Sequence, residues 1–138
     1  MITVLGVDIG TTGIKMAAFT RVEDDGELTQ IGEYTQSYEL SSHTNDLFGD
    51  IDPGKWIDAF REGCTALSGT LPDVDAVALS GTTPGLTAMA DDGSALYPSI
   101  LMLDQRSRSQ AKSIIDAVGA ERLLAETGNM PVAGGCSL

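Results

Sequence analysis

The first forty residues carry apolar runs that are broken by short turn signals. Residues 2–9 are almost continuously apolar, which is typical of a strand buried on both faces. A turn signal at residues 10–13 separates this run from a second apolar run at 14–19. Another turn signal at 24–27 precedes a partly alternating segment at 28–38. The pattern predicts three strands joined by tight turns, as an antiparallel meander.

The middle of the chain changes to helical spacing. The polar residues 41–50 predict a loop, and Asp52-Pro53 after them is a favourable helix start. Four residues then repeat at helical spacing and are expected to face the core: Trp56, Phe60, Cys64 and Leu67. Residues 74–79 form a short apolar run that follows a Pro-Asp turn. We therefore expect one helix followed by a fourth strand.

The last third predicts a hairpin and two helices. Residues 86–90 and 99–103 flank the turn signal at 91–94. A helix is predicted over 107–118, ended by Gly119, and a shorter helix over 120–126. The resulting order is three strands, a helix, a strand, a hairpin and helices, which indicates an α/β fold with a mixed sheet and helices packed on it.

Composition narrows the class of protein. The chain has 138 residues, 42% of them hydrophobic, and a formal net charge of −12 from 8 basic and 20 acidic residues. This excess of acid argues against nucleic acid or an anionic membrane as a partner, because both require a basic face. No apolar run approaches the ~20 residues that span a bilayer. Cys64 and Cys136 suggest neither a disulfide framework nor a metal site, so we expect a cytoplasmic location.

The turn after the first strand concentrates residues suited to a polyphosphate. Asp8 stands at a predicted buried strand end, where a carboxylate needs a partner. Gly10 and Gly13 permit positive φ angles and a close approach to the backbone, while Thr11 and Thr12 add hydroxyls. An ordinary hairpin whose aspartate caps its own turn is an equally acceptable interpretation of this spacing. The pattern is not a Walker loop, and it lacks the third glycine of a dinucleotide fingerprint.

The segment Asp8-Ile9-Gly10-Thr11-Thr12 resembles the first phosphate motif of the FGGY carbohydrate kinases, members of the actin/hexokinase-like ATPase superfamily. Further landmarks of that family follow in the same order across the chain. They are Asp52-Pro53-Gly54-Lys55-Trp56, Ser80-Gly81 with Gly85, Asp92-Gly93, Pro98, Ile100-Leu101, Asp104-Gln105-Arg106 and Thr127-Gly128-Asn129. The resemblance covers essentially the whole chain.

The resemblance implies a ribonuclease-H-like domain, with ATP and sugar meeting between two such domains in the whole enzyme. Residues 1–138 would be most of the N-terminal domain, with the C-terminal domain absent from this chain. The family's catalytic base, its second phosphate motif and its adenosine motif have no match here. We therefore expect no catalytic residue in this chain, and no or almost no activity from the chain alone.

Residue roles follow from the same resemblance. The residues expected to bind the cofactor ATP are Asp8, Gly10, Thr11, Thr12, Gly13 and Lys15, with Asp8 also holding Mg²⁺ through water; those expected to bind the substrate are Thr82, Thr83, Pro84, Asp104 and Arg106. The alternative for Asp104 and Arg106 is an N-cap and a surface charge at the start of the predicted helix, and the alternative for Lys15 is an ordinary surface lysine. Xylulose-kinase-like members carry Met-His where this chain has Thr83-Pro84, and glycerol-kinase-like members carry Arg-Glu. Many members carry Trp where this chain has Met102. The sequence therefore does not assign xylulose or glycerol as the substrate.

The function implied is ATP-dependent phosphorylation of a sugar or polyol hydroxyl, in a magnesium-dependent reaction. A non-catalytic sugar- or nucleotide-sensing module on the same fold is the alternative. An actin-like or chaperone-type ATPase shares the first hairpin, but the landmarks at Ser80-Gly81 and Asp104-Gln105-Arg106 disfavour it. The expected partners are the small-molecule substrate and ATP, and a homodimer of the full-length protein stays open.

Overall fold

The computed structural model describes residues 1–21, 26–41, 43 and 47–134. The chain divides into two compact units, one formed by Met1–Glu39 with Gly54–Thr82 and the other by Leu40–Pro53 with Thr83–Leu138. None of the helices in the described ranges combines the length and apolar character needed to cross a bilayer.

A four-stranded mixed sheet forms the centre of the first unit. Its strands are β1 (Ile2–Ile9), β2 (Gly13–Arg21), β3 (Leu28–Ser37) and a later strand at Ala76–Gly81, which is β5 in chain order. The spatial order is β3-β2-β1-β5, with antiparallel pairing in the meander β1-β2-β3 and parallel pairing between β1 and β5. The predicted meander and mixed sheet are confirmed.

The first strand is buried on one face only, and the prediction of a strand buried on both faces is wrong. Thr3, Leu5 and Val7 are buried, whereas Asp8 on the alternate face is exposed. The near-continuous apolar run concealed this alternation because Val4 and Gly6 on the open face are small or apolar as well. Asp8 therefore stands at the exposed end of the strand.

Helix α1 (Gly54–Leu67) covers the face of this sheet on which Leu5 and Val7 are buried. Ala59 and Leu67 are buried with Leu5, Val7 and residues of β2, and the aromatic rings of Phe60 and Tyr34 pack at the margin. The predicted helix start at Asp52-Pro53 is correct to within a residue. Trp56 and Cys64 are partly buried, so the helical spacing identified the face that meets the sheet.

The second unit contains a small sheet and two helices. Its strands are β4 (Asp50–Ile51), β6 (Gly85–Leu86) and β7 (Ser99–Leu101), in the antiparallel order β4-β7-β6. Helices α2 (Arg108–Val118) and α3 (Ala120–Thr127) follow and are separated by Gly119, which has a φ of 92°. The predicted hairpin and both helices are present, although the hairpin strands are shorter than predicted.

Three sequence predictions fall partly beyond the described ranges. The turn at 24–27 includes Asp24 and Asp25, which lie outside them, as do parts of the loop at 41–50 and Cys136. Within the described part, Gly26 has a φ of 71°, in the left-handed region that a turn glycine favours.

Gly63 on α1 allows close packing of the helix on the sheet. A Cβ added there would overlap the Met16 sulfur and lie 2.8 Å from the Tyr34 ring. We expect Gly63→Ala to destabilise the chain by about 1–3 kcal/mol, despite the better helix propensity of alanine, because the core is overpacked. Urea unfolding measures this change.

Gly69 provides the matched control, since a Cβ added there meets no atom within 4 Å. Gly69→Ala is expected to change the free energy of unfolding by less than about 0.5 kcal/mol. Equal effects of the two substitutions would contradict the packing account.

Candidate functional site

The turn between β1 and β2 is closed by few backbone bonds. The amide of Gly10 donates to the carbonyl of Gly13 at 2.9 Å, and the amide of Tyr38 donates to the carbonyl of Thr12 at 3.0 Å. The amides of Thr11 and Thr12 have no hydrogen-bond partner among the residues that the structure describes. Unpartnered amides at a tight turn are suited to binding an anion.

The glycines of this turn are required for space, not for a left-handed backbone. Neither Gly10 nor Gly13 has a positive φ, so the predicted use of positive φ angles is wrong. A Cβ on Gly13 would lie 2.7 Å from the carbonyl oxygen of Gln36 on β3, and one on Gly10 would lie 3.0 Å from the Gly13 carbonyl oxygen. Gly13 therefore excludes a side chain because the backbone of β3 approaches it closely, and Gly10 leaves only a tight fit beside the Gly13 carbonyl.

Asp8 is an exposed carboxylate on the open face of the sheet. Lys15 lies directly opposite on β2, and residues opposite each other in an antiparallel pair point to the same face. Both border a depression of about 480 Å³ on this face, which Ser80 at the end of β5 also lines. A carboxylate and an ammonium therefore face solvent side by side, next to the turn with unpartnered amides.

Thr82 connects the end of β5 to this turn. Its hydroxyl oxygen lies 2.9 Å from the hydroxyl oxygen of Thr11, and its amide donates to the carbonyl of Ile9 at 2.8 Å. The parallel register places Asp8 beside Ser80 and Ile9 beside Gly81, so the carboxyl ends of both strands share one edge. Ligands of α/β folds commonly bind at such an edge.

Tyr38, which the sequence interpretation did not select, also contacts the turn. Its hydroxyl donates to the carbonyls of Gly10 and Gly13, the latter at 3.0 Å. Burial raises the pKa of this phenol, and the charge of Asp8 raises it further, against a smaller opposing effect of Trp56. The partners lie 25 and 28 residues away in the chain, so no local pattern indicated this role.

In the second unit, Asp104 and Arg106 bind each other. The guanidinium contacts both carboxylate oxygens of Asp104, and its Nη2 also lies 3.0 Å from Oδ2 of Asp50. Nη1 donates to the Tyr97 hydroxyl at 2.9 Å, and the guanidinium carbon lies 4.3 Å from the centre of the Phe48 ring. Four of the five guanidinium N–H groups are therefore engaged by the protein itself.

The two carboxylates of this cluster are almost fully buried. The side chain of Asp50 is 0% exposed and that of Asp104 is 2% exposed. Burial acts to raise the pKa of Asp50, but His43, Ser41 and Arg106 outweigh it, so this pKa is lowered. Burial also acts to raise the pKa of Asp104, but Arg106 and the hydrogen bonds from the Gly49 and Arg106 amides outweigh it, so this pKa is lowered. In return, the hydrogen bond to Asp104 raises the pKa of Arg106.

The other predicted substrate residues of the second unit are more open. Thr83 is exposed and Pro84 is half-buried, and the peptide bond between them is cis. Met102, which precedes the buried Asp104, is 57% exposed. The structure thus brings Asp8, the turn residues 10–13, Lys15 and Thr82 together in the first unit, and joins Asp104 with Arg106 in the second.

Arg106 holds two buried carboxylates, so among the described residues its removal leaves Asp104 without a cationic partner and Asp50 with only the His43 imidazole and Ser41 beside it. We expect Arg106→Met to destabilise the chain by about 3–5 kcal/mol at pH 7, as loss of one partner of a buried ion pair does. A carboxylate whose pKa is lowered on folding contributes stability above its unfolded pKa, about 3.9, and this contribution is lost as the pH falls through the folded pKa. The effect of the substitution should accordingly shrink below about pH 4.

Arg108 is the control, because it makes an exposed bond to Gln105 at the start of α2. Arg108→Met is expected to change the free energy of unfolding by less than about 0.5 kcal/mol. Denaturant unfolding of both variants at several pH values checks the account, and a small effect of Arg106→Met at pH 7 would contradict it.

Comparisons with known proteins agree with these features. A profile of the N-terminal domain of the FGGY family of carbohydrate kinases matches residues 3–135. A xylulose kinase from Staphylococcus xylosus is 29% identical over 136 residues, which are 97% of this chain and 27% of that protein. The chain therefore spans about a quarter of the length of this relative.

Solved structures extend the comparison to the fold. The xylulose kinase from Rhodospirillum rubrum matches with a TM-score of 0.80 and 28% identity, over 94% of this chain and 26% of that chain. The Plasmodium falciparum glycerol kinase with ADP matches with a TM-score of 0.78 over 98% of this chain and 27% of that one; at 17% identity, it shows the fold alone. The architecture is thus the α/β fold of the actin/hexokinase-type ATPases. This chain belongs to the FGGY family of carbohydrate kinases and matches that family's N-terminal domain.

Proposed function

We propose that this chain supplies the phosphate-binding half of an ATP-dependent kinase that phosphorylates a sugar or polyol hydroxyl. The observation that carries the proposal is the 2.9 Å contact between the hydroxyls of Thr11 and Thr82. It joins the turn after β1, where the amides of Thr11 and Thr12 have no partner among the described residues, to the end of β5, where the substrate side is expected. Phosphoryl transfer depends mainly on such positioning of donor and acceptor.

The residues at the turn after β1, together with Lys15 and Thr82, have distinct roles in this proposal. The amides and hydroxyls of Thr11 and Thr12 donate hydrogen bonds to phosphate oxygens, and Gly10 and Gly13 keep the hairpin compact beneath them. Lys15 offsets part of the negative charge that the ligand adds beside Asp8. The contact with Thr82 fixes the rotamer of Thr11 and ties this turn to the strand that leads to Thr83 and Pro84.

The residues present fit the cofactor that the family implies. Asp8 is an exposed carboxylate beside unpartnered amides, and Mg²⁺ is commonly held by one or two carboxylates together with water and phosphate oxygens. In the described part of the chain, no three His, Cys, Asp or Glu side chains are grouped to hold a metal. We therefore propose that Asp8 holds Mg²⁺ through water. Bound Mg²⁺–ATP supplies the phosphoryl group that is transferred.

The substrate side is proposed only at the level of a class. Both xylulose kinases compared above make a ketose a candidate. The resemblance implies that Thr83, Pro84 and Met102 stand where related kinases carry other residues, and these three side chains offer few hydrogen-bond donors. We propose that Thr82, Thr83 and Pro84 contact the acceptor. Direct contact of Asp104 and Arg106 with substrate hydroxyls stays a prediction. In the structure these two side chains bind each other within the second unit. A cytoplasmic location stays a prediction too.

We further propose that residues 1–138 are most of the N-terminal domain of a longer kinase, and that the catalytic base lies outside them. Support comes from the family match over 3–135 and from the chain's 27% share of the Staphylococcus xylosus relative. Without a base at the acceptor hydroxyl, the chain alone should transfer no phosphate. Measurable turnover by the isolated chain would contradict this proposal.

Asp8→Asn tests the proposed metal role in the complete kinase. Because asparagine keeps the shape of the side chain but loses its charge, we expect phosphoryl transfer from ATP to fall at least about 100-fold. The acceptor dissociation constant, measured by calorimetry without nucleotide, should change less than about twofold. A panel of ketoses and polyols identifies the acceptor beforehand.

Asp58 on α1 provides the control, because its carboxylate is 71% exposed and, among the described residues, makes only a surface ion pair with Arg61. Asp58→Asn should retain full activity. Equal activity of the Asp8 and Asp58 variants would refute the role of Asp8.

A further inference from the structure

Tyr38 holds the turn after β1 from the side of β3. It follows the last residue of β3 and is half-buried beside the core of the first unit. Its amide donates to the carbonyl of Thr12, and its hydroxyl donates to the carbonyls of Gly10 and Gly13. One residue thus contacts three of the four peptide carbonyls in the turn.

These bonds determine where the unpartnered amide of Thr11 points. In a trans peptide, the N–H of a residue is directed opposite to the C=O of the residue before it. Because the Gly10 carbonyl is directed at the Tyr38 hydroxyl, the Thr11 N–H is directed away from Tyr38. The hydroxyl of Tyr38 therefore orients a donor that it does not itself touch.

The phenol of Tyr38 is protonated at neutral pH, as an ordinary tyrosine is, and therefore donates. Burial and then the Asp8 carboxylate raise its pKa further above neutral. The indole nitrogen of Trp56 is buried and has no hydrogen-bond partner among the described residues.

Tyr34 shows what an ordinary tyrosine of the same strand does. It also packs against the core, but its hydroxyl donates to the side chain of Gln36 at 2.7 Å. A tyrosine needed only for packing would require no bond to the turn. The difference between these two residues lies in the carbonyls that the Tyr38 hydroxyl binds.

We propose that Tyr38 is a positioning residue for phosphate binding: its hydroxyl fixes the Gly10 and Gly13 carbonyls and so aims the Thr11 amide at a phosphate of the nucleotide. This proposal rests on the proposed function, since it assumes that the turn binds the phosphates of ATP. It adds a residue outside the turn on which that binding depends.

The test compares Tyr38→Phe with Tyr34→Phe in the complete kinase, each of which removes one hydroxyl and keeps the ring. We expect Tyr38→Phe to lower kcat/KM for ATP about five- to tenfold, the effect of one oriented hydrogen bond. The KM for the acceptor should change less than about twofold, and Tyr34→Phe should leave both constants unchanged. A general loss of packing would instead move the constants of both substrates together.

Amide hydrogen exchange of Gly10 and of residue 38, whose amides bond to the Gly13 and Thr12 carbonyls, provides a measurement that needs no activity. Tyr38→Phe should exchange faster there than the unsubstituted protein, with unchanged exchange in β2 and with Tyr34→Phe as the control. Equal exchange, or equal kinetic effects of the two variants, would overturn the proposal. If the unsubstituted protein transfers no phosphate, the proposed function fails, and the role of Tyr38 in positioning the nucleotide fails with it. The exchange result still decides, independently of activity, whether Tyr38 holds the turn.

Discussion

The parallel pairing of β1 with β5 is the constraint on which the candidate site depends. It places Asp8 beside Ser80 and Ile9 beside Gly81, so that both strands end at one edge of the sheet. Thr11 and Thr82, 71 residues apart in the chain, can then share a hydrogen bond. Without this pairing, the turn after β1 would be an ordinary hairpin tip.

The turn itself is held mainly by hydrogen bonds that its backbone carbonyls accept. The carbonyls of Gly10, Thr12 and Gly13 bind groups of the chain, whereas the amides of Thr11 and Thr12 have no partner within the described ranges. An anion is attracted to amides and repelled by carbonyls, so this distribution of bonds gives the turn a donor side. An acidic chain can bind a polyphosphate in this way, because the attraction is local and does not depend on its net charge of −12.

The sequence predicted much of the fold because its periodicities are local. The meander, α1 and the two C-terminal helices appear where turn residues and apolar spacing indicated them. It failed where the answer depended on distant neighbours. The apolar run of β1 concealed a strand buried on one face, and Gly13 is required by the backbone of β3 instead of by a positive φ.

The candidate site was predictable to a similar degree. Asp8 and the turn residues stand out in sequence because they are contiguous. Tyr38 does not, since its hydroxyl acts on carbonyls more than twenty residues away. Asp50 was missed for the same reason: its bond to Arg106 joins residues 56 apart, and only the structure shows that this arginine serves two buried carboxylates.

The turn after β1 is proposed to bind phosphate through its amides. Titration of the isotope-labelled 138-residue chain with Mg²⁺–ATP, followed by the backbone amide signals in solution, tests this proposal most directly. We expect saturable shifts at Thr11 and Thr12 and at Thr82, with none at the turn of Asp92 and Gly93, which serves as an internal control. Unchanged signals at Thr11 and Thr12 at millimolar nucleotide, or equal shifts at both turns, would contradict the proposal.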